Sequence, residues 1–301
     1  MTDPTFQAAS TAEFNAVPAT GPYTLGLGNT GLYLSLANMT SDNSIVDAIR
    51  LLAGNTTSST PASQYLPDSY DPSLVAGYRT QLEALADLYG NSKSPSLESM
   101  HATGTNIPLM HMHPLSRGTV RLPPGYHHGS DTHLLDLPEI DYRALSHPLD
   151  VELNLAHVRY LRGMFETPTL QALGAVETQP GLAVGDDEEK LKTWIRETIW
   201  MSYMHGCCTA AMMPQAKGGV VGPELKVHGA SGLRVVDMSI MPIIPSAHLT
   251  STAYGVAEKV CFFLSLFLRS RLVLSLAFCF SLFSISLAFF SCFLVLFFMM
   301  N

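Results

Sequence analysis

Histidine is the side chain with the most chemical reach in this chain of 301 residues, which carries 11 of them. His111, His113, His127, His128 and His133 fall in one short stretch, and an H-x-H pair can chelate a metal. No cysteine or acid is spaced there to complete a ligand set, and the stretch reads as loop, so no metal is expected. Cys207 and Cys208 are adjacent and form no C-x-x-C, which counts against a redox dithiol. The run "GASG" departs from G-x-S-x-G, which counts against a serine hydrolase.

A second motif is "GLGNTG", from Gly26 to Gly31. It fits G-x-G-x-x-G, the loop that cradles a dinucleotide pyrophosphate. That chemistry needs a buried strand before the loop and a helix N-terminus after it. Pro18, Gly21 and Pro22 break any such strand. Asp47 lies near the place of a ribose-binding carboxylate, but no helix start follows cleanly, and the motif reads as a turn.

The elements that must position these residues are legible in part. Residues 1–70 are rich in Ser, Thr, Asn, Pro and Gly and read as largely loop, with one short helix candidate in "SDNSIVDAIRLLAG". Asp71-Pro72 opens a stronger helix, with Asp as N-cap and Pro at the first position. Leu74, Val75, Tyr78, Leu82, Leu85 and Leu88 form its apolar stripe, and Gly90 ends it. "GTVRL" reads as a short strand, and "LDVELNLAHVRYLRGMF" after Pro148 as another helix. "GDDEEKLKTWIRETIWMSYMHG" reads as a helix with acids at the positive end of its dipole and a stop at Gly206. Leu233 to Val236 reads as a strand.

The net charge of −8 gives no basic field for nucleic acid. The first residues, "MTDPTFQAAS", have neither the basic start nor the apolar run of a secretory signal. Residues 261–301 differ from the rest, holding 11 of the 14 phenylalanines. Arg271 is followed by the uncharged stretch Leu272 to Met300, and about 20 apolar residues suffice to span a bilayer. A membrane segment through 272–300 is one reading. Translated non-coding sequence is the other, because Leu, Phe, Ser and Cys dominate the tail and share pyrimidine-rich codons.

Residues 205–259 carry the most specific pattern. His205, Thr209 and Met212, then "GGVV", "PELKVHG", "GLRVVD-x-S-x-MP", and a His followed by a helix ending in Ala-Glu-Lys occur in order. This run resembles the C-terminal signature of the glucose-methanol-choline (GMC) oxidoreductases, most closely the fungal aryl-alcohol-oxidase-like members. "HPLSRGTVRL" and "HPLDVELNLAHVRYLR" are similar to the family's substrate-domain half, and the resemblance covers residues 20–260. Gly206 stands where the family has Pro, Gly222 where it has Asp, and Cys208-Thr209-Ala210 where Gly-Thr-Cys is usual.

The resemblance implies an α+β fold, with an antiparallel sheet flanked by helices plus the last elements of an FAD domain. It implies a substrate-binding portion over 1–185, a flavin-facing segment over 186–260 and an apolar tail over 261–301. The implied activity is FAD-dependent oxidation of CH–OH groups of alcohol donors. Catalysis falls to His205, which takes the hydroxyl proton as the hydride passes to flavin N5, and to His248, which bonds the substrate oxygen. Asp237, Met238, Leu249 and Thr250 are implied to contact FAD. Oxygen or a quinone is the implied electron acceptor. The true phosphate loop is expected outside this chain, which makes weak or no flavin binding the expectation for the chain alone. An inactive GMC-like fragment, tethered to a membrane by its tail, is the alternative.

Overall fold

In a computed structural model, residues 4–24, 30–54, 61–101, 108–123, 137–172, 174–200 and 202–272 are described. They begin with helix α1 (Pro4–Phe14), strand β1 (Thr30–Leu34), the short helix α2 (Leu36–Met39) and α3 (Ser44–Gly54). Helix α4 (Pro72–Gly90) leads to β2 (Leu97–His101), β3 (Met110–His111), β4 (Thr119–Arg121) and β5 (Glu139–Asp141). The remaining helices are α5 (Pro148–Phe165), α6 (Pro168–Ala172), α7 (Glu188–Thr198) and α8 (Leu249–Leu272).

Local chemistry sets the main helix starts. The Asp71 carboxylate accepts the amides of Ser73 at 2.7 Å and Leu74 at 3.1 Å, and Pro72 opens α4 with its φ already helical. Asp187 caps α7 through the Lys190 amide at 3.1 Å, with Glu188 and Glu189 in the first turn. His147 caps α5, its Nδ1 accepting the Leu149 amide at 3.3 Å.

The fold is α+β, as expected. Strands β1, β2 and β3 form an antiparallel sheet in that order, with Leu32 opposite Ser99 and Leu97 opposite His111. Strands β4 and β5 form a separate antiparallel pair. The main core joins α3, α4 and α5 through Val46, Ile49, Tyr78, Leu82, Leu85 and Leu153. Leu155 and Val158, on another face of α5, pack with Leu191 and Ile195 of α7. Each fully buried side chain of this size contributes about 1.5–3 kcal/mol.

Four local expectations change. Residues 4–14 are helical, because Ala, Gln and Glu outweigh the Ser and Thr that read as loop. A helix start does follow "GLGNTG": Ser35 caps α2 through the Asn38 amide at 3.3 Å. Gly31 itself lies within β1, and residues 26–29 of the motif lie outside the described residues. Helix α7 stops at Thr198, well before Gly206, where Thr198, Ile199 and Trp200 bring weak helix formers together. Leu233 to Val236 make only an isolated bridge, Arg234 with Lys226, since Gly229, Gly232 and Leu225 at positive φ bend the chain on both sides.

The chain divides into two compact units. One comprises Met1–Val235 with Ser239–Ala247, the other Val236–Met238 with His248–Asn301. Among the described residues no helix is long and apolar enough to cross a membrane. Residues 273–301, which carry most of the membrane reading, lie outside the described residues.

Candidate active site

His205 belongs to the first unit, in the connection after α7. Tyr203 and Met204 both take left-handed φ, 44° and 61°, and this turn brings the Tyr203 carbonyl 2.6 Å from His205 Nδ1. A carbonyl can only accept, so Nδ1 carries the proton and Nε2 is the basic nitrogen of the neutral ring. The ring is half-buried and tilted against that of Tyr203, at 6.0 Å between centroids. Tyr203 in turn meets Trp200 edge-on at 6.3 Å.

The chain beyond His205 is tied down by backbone bonds. The Ala210 amide donates to Ser239 O at 2.9 Å and the Met212 amide to Ile240 O at 2.7 Å. Met212 and Val221 form a parallel bridge, which seats "GGVV" beside it. Gly219 is required there, because a Cβ would collide with the Met213 carbonyl.

Asp237, Met238, His248, Leu249 and Thr250 all fall in the second unit. His248 is the residue immediately before α8, and its carbonyl accepts Ser251 Oγ at 3.2 Å. Its ring is half-buried, Leu249 is buried, and Asp237 and Thr250 are exposed. The second unit thus gathers five of the six expected site residues, and His205 belongs to the other unit.

The H-x-H pair has a structural role. Tyr89 Oη stands 2.6 Å from His111 Nε2, and His113 Nε2 stands 2.6 Å from Ser246 Oγ. Burial drives both imidazoles below their usual pKa, His113 to about 4 with His111 lowering it further. His157 is pushed well down by burial, and His147 is pushed down to about 4. Among the described residues no cluster of three or more His, Cys, Asp or Glu could hold a metal ion. His127, His128 and His133 lie outside the described residues.

Cys207 and Cys208 are half-buried and hydrogen-bond each other. That bond draws the Cys207 thiol down, helped by the nearby Arg117 charge, and pushes Cys208 up. Sequence reasoning left out Gln81, which donates to Pro242 O, Arg117, which donates to Gln81, and Ser246, which donates to Pro95 O. Arg117 stood in the motif "HPLSRGTVRL" and Ser246 within the run 205–259, but neither was singled out.

The ordered motif from His205 to Lys259 is thus set on an α+β arrangement. Residues 114–257 match the family model described as GMC oxidoreductase, C-terminal. Dehydrogenase xptC of Emericella nidulans is 36% identical over 194 residues, which cover 64% of this chain and 30% of that protein. A solved fungal aryl-alcohol oxidase is 47% identical with a TM-score of 0.72, over 86% of this chain and 42% of that one. An FAD-dependent oxidoreductase from Chaetomium thermophilum, solved with a bound fragment, is 34% identical with a TM-score of 0.73 over the same shares. The chain therefore spans about a third of the length of the curated relatives it matches.

Proposed function

We propose that this chain supplies the proton-accepting and alcohol-facing part of an FAD-dependent oxidoreductase acting on CH–OH groups. The observation that carries the reading is the fixed tautomer of His205: the Tyr203 carbonyl holds Nδ1–H at 2.6 Å and so assigns basicity to Nε2. A neutral imidazole with a set basic nitrogen is suited to take a hydroxyl proton near neutral pH. This donor chemistry fits the reactive end of FAD, which when bound supplies the two-electron acceptor.

The other residues follow from the same reading. His248 bonds the alcohol oxygen and stabilises it as the proton leaves. Leu249 and Thr250 begin α8, where the helix dipole favours negative charge. They would meet the flavin ring through backbone groups, with Asp237 and Met238 toward the ribityl–pyrophosphate part. Residues 1–185 would shape the substrate side and 186–260 the flavin side. Aryl alcohols are the substrate class supported by the likeness to the aryl-alcohol oxidase, and oxygen or a quinone takes the electrons onward.

The test is a chimera in which this chain replaces the equivalent region of that aryl-alcohol oxidase. Anaerobic addition of an aryl alcohol should bleach the flavin absorbance bands. Bleaching should vanish in His205→Gln and persist in His228→Gln, a histidine whose Nε2 lies 3.1 Å from Met213 O. Bleaching by His205→Gln at the parent rate would overturn the reading.

The departures at Gly206 and Gly222 favour a second reading, a non-catalytic GMC-like fragment. A Cβ at Gly206 would meet nothing within 4 Å, so packing does not require glycine there. A chimera that folds and holds FAD without bleaching would establish this second reading.

A further inference from the structure

Adjacent side chains of an extended chain point to opposite faces. Cys207 and Cys208 break that alternation, since their thiols meet in a hydrogen bond. The chain bends at Cys208, whose φ of 77° is left-handed and uncommon for any residue but glycine. Residues 205–208 have no regular secondary structure, and Gly206 and Thr209 on either side of the pair are exposed. The two half-buried thiols are therefore side by side, each next to a residue open to solvent.

The two sulfurs are not equivalent. The Cys208 thiol donates to Cys207, which favours a thiolate on Cys207 over the smaller opposing effect of burial and keeps the proton on Cys208. The Arg117 charge favours the Cys207 thiolate further. Arg117 belongs to the same unit, and its hydrogen bonds go to neutral oxygens. Nε and Nη2 donate to Gln81 Oε1, and Nη1 donates to the Pro114 and Ser116 carbonyls. These bonds hold the guanidinium without cancelling its charge, which is left to act on Cys207.

We propose that Cys207 and Cys208 are a modification site for hydrogen peroxide, with Cys207 as the attacking sulfur and Cys208 as the resolving thiol. The Cys207 thiolate attacks one peroxide oxygen: an S–O bond forms, the O–O bond breaks, and the departing hydroxide takes a proton to become water. Cys207 is then a sulfenic acid, oxidised by two electrons. It no longer offers Cys208 a thiolate to bond, and Cys208, on losing its proton, attacks the Cys207 sulfur. An S–S bond forms, the S–O bond breaks, and a second water leaves. Two thiols and one peroxide thus give one disulfide and two waters. The peptide between the cysteines is trans. It sets their Cα atoms about 3.8 Å apart, against roughly 4.4–6.8 Å in ordinary disulfides. Strained bridges are the readily reduced ones, so a thiol reductant should reopen this one. The missing C-x-x-C spacer thus counts against a lasting bridge and not against a reversible one. None of these steps depends on the catalytic reading of His205.

The test treats the full chain with hydrogen peroxide and then with a thiol-alkylating agent. Trypsin releases residues 197–217 as one peptide, which holds both thiols and no other cysteine. In the parent this peptide should escape alkylation and weigh two hydrogens less than its reduced form, and dithiothreitol should restore both alkylation sites. Methionine oxidation in the same peptide adds oxygen and leaves the count of alkylated cysteines unchanged. In Cys208→Ser, dimedone should capture a sulfenic acid on Cys207. In Cys207→Ser, Cys208 should react with peroxide at least about tenfold more slowly than Cys207 does in Cys208→Ser. Two alkylated cysteines in the parent after peroxide would overturn the proposal. So would a Cys207 that passes to sulfinic acid while Cys208 still alkylates, or equal rates in the two variants. The parent measurement needs no substitution, so it decides the matter even if a variant fails to fold.

Discussion

Tyr89 Oη stands 2.6 Å from His111 Nε2 and also donates to the His113 carbonyl. A phenol has one proton, so Oη accepts from His111 Nε2–H. His111 Nδ1 then accepts from Asn154 Nδ2 at 3.2 Å, and the same amide donates to Asp150 O at 2.7 Å. Protonating His111 would set a donor against the Asn154 amide. The His157 ring adds a second constraint, packed edge-on against His111 at 5.6 Å. The network is consistent only with a neutral ring.

Acid should therefore unfold the first unit. In the folded state burial holds His113 and His147 at about 4, below the unfolded value of about 6.5. The unfolded chain binds more protons between these values, so stability rises with pH across that window. The contribution is complete above about pH 6.5 and is lost as pH falls toward 4. At pH 5 each of the two should cost about 2 kcal/mol relative to pH 7.5, an order-of-magnitude figure. Urea denaturation at the two pH values measures it, and equal midpoints would refute it.

Asp150 offers a sharper target. It is buried, and its carboxylate accepts the Leu115 amide at 2.7 Å, the Ser116 amide at 2.8 Å and the Ser116 hydroxyl. Asp150→Ala leaves one buried donor, the Leu115 amide, and two half-buried ones on Ser116 without their acceptor. The expected loss is about 3 kcal/mol or more, read as a lower urea midpoint at unchanged slope. Asp150→Asn keeps one acceptor oxygen and should fall between the parent and Asp150→Ala.

Sequence legibility followed the range of the interaction. The Asp71 cap acts within three residues and was readable from residue type and spacing, whereas the acids that open α7 were read only as dipole partners and one of them, Asp187, is its cap. The family motif was readable because its residues stand in fixed order along one stretch. The bond from Gln81 to Pro242 spans 161 positions, and no local pattern announces it. The stop of α7 was misread for a related reason. Ile199 and Tyr203 continue the apolar spacing, yet the backbone leaves the helix, with ψ 129° at Ile199 and positive φ at Tyr203. His111 and His113 resembled ligands because H-x-H is a local pattern, whereas their partners Tyr89, Asn154 and Ser246 lie far along the chain.

Gly77 sets helix propensity against packing. It lies inside α4, where Ala should be more favourable by about 1 kcal/mol. A Cβ at this position would collide with the Lys217 carbonyl, part of a rigid turn that ends in Gly218 at φ 70°. The clash falls on backbone and cannot be relieved by a rotamer change. Gly77→Ala should therefore destabilise by about 1–3 kcal/mol. A raised melting temperature would show that the approach of α4 to this turn is looser than described.

His205 allows the catalytic reading to be separated from a packing role. Its Nδ1 bond goes to the Tyr203 backbone carbonyl and not to the phenol. Tyr203→Phe preserves that carbonyl and should leave turnover by the aryl-alcohol-oxidase chimera within about threefold of the parent. His205→Gln removes the basic nitrogen, and kcat should fall about 10²- to 10⁴-fold with KM little changed, the pattern for a group acting on the proton in the transition state. The connection holding His205 is exposed at Trp200 and Met204, 77% and 93%, so the substitution should leave the melting temperature nearly unmoved. Steady-state kinetics beside a melting curve decides between the two roles. A fall in kcat matched by a fall in folded fraction would assign His205 to structure, and a fall in kcat alone assigns it to the proton.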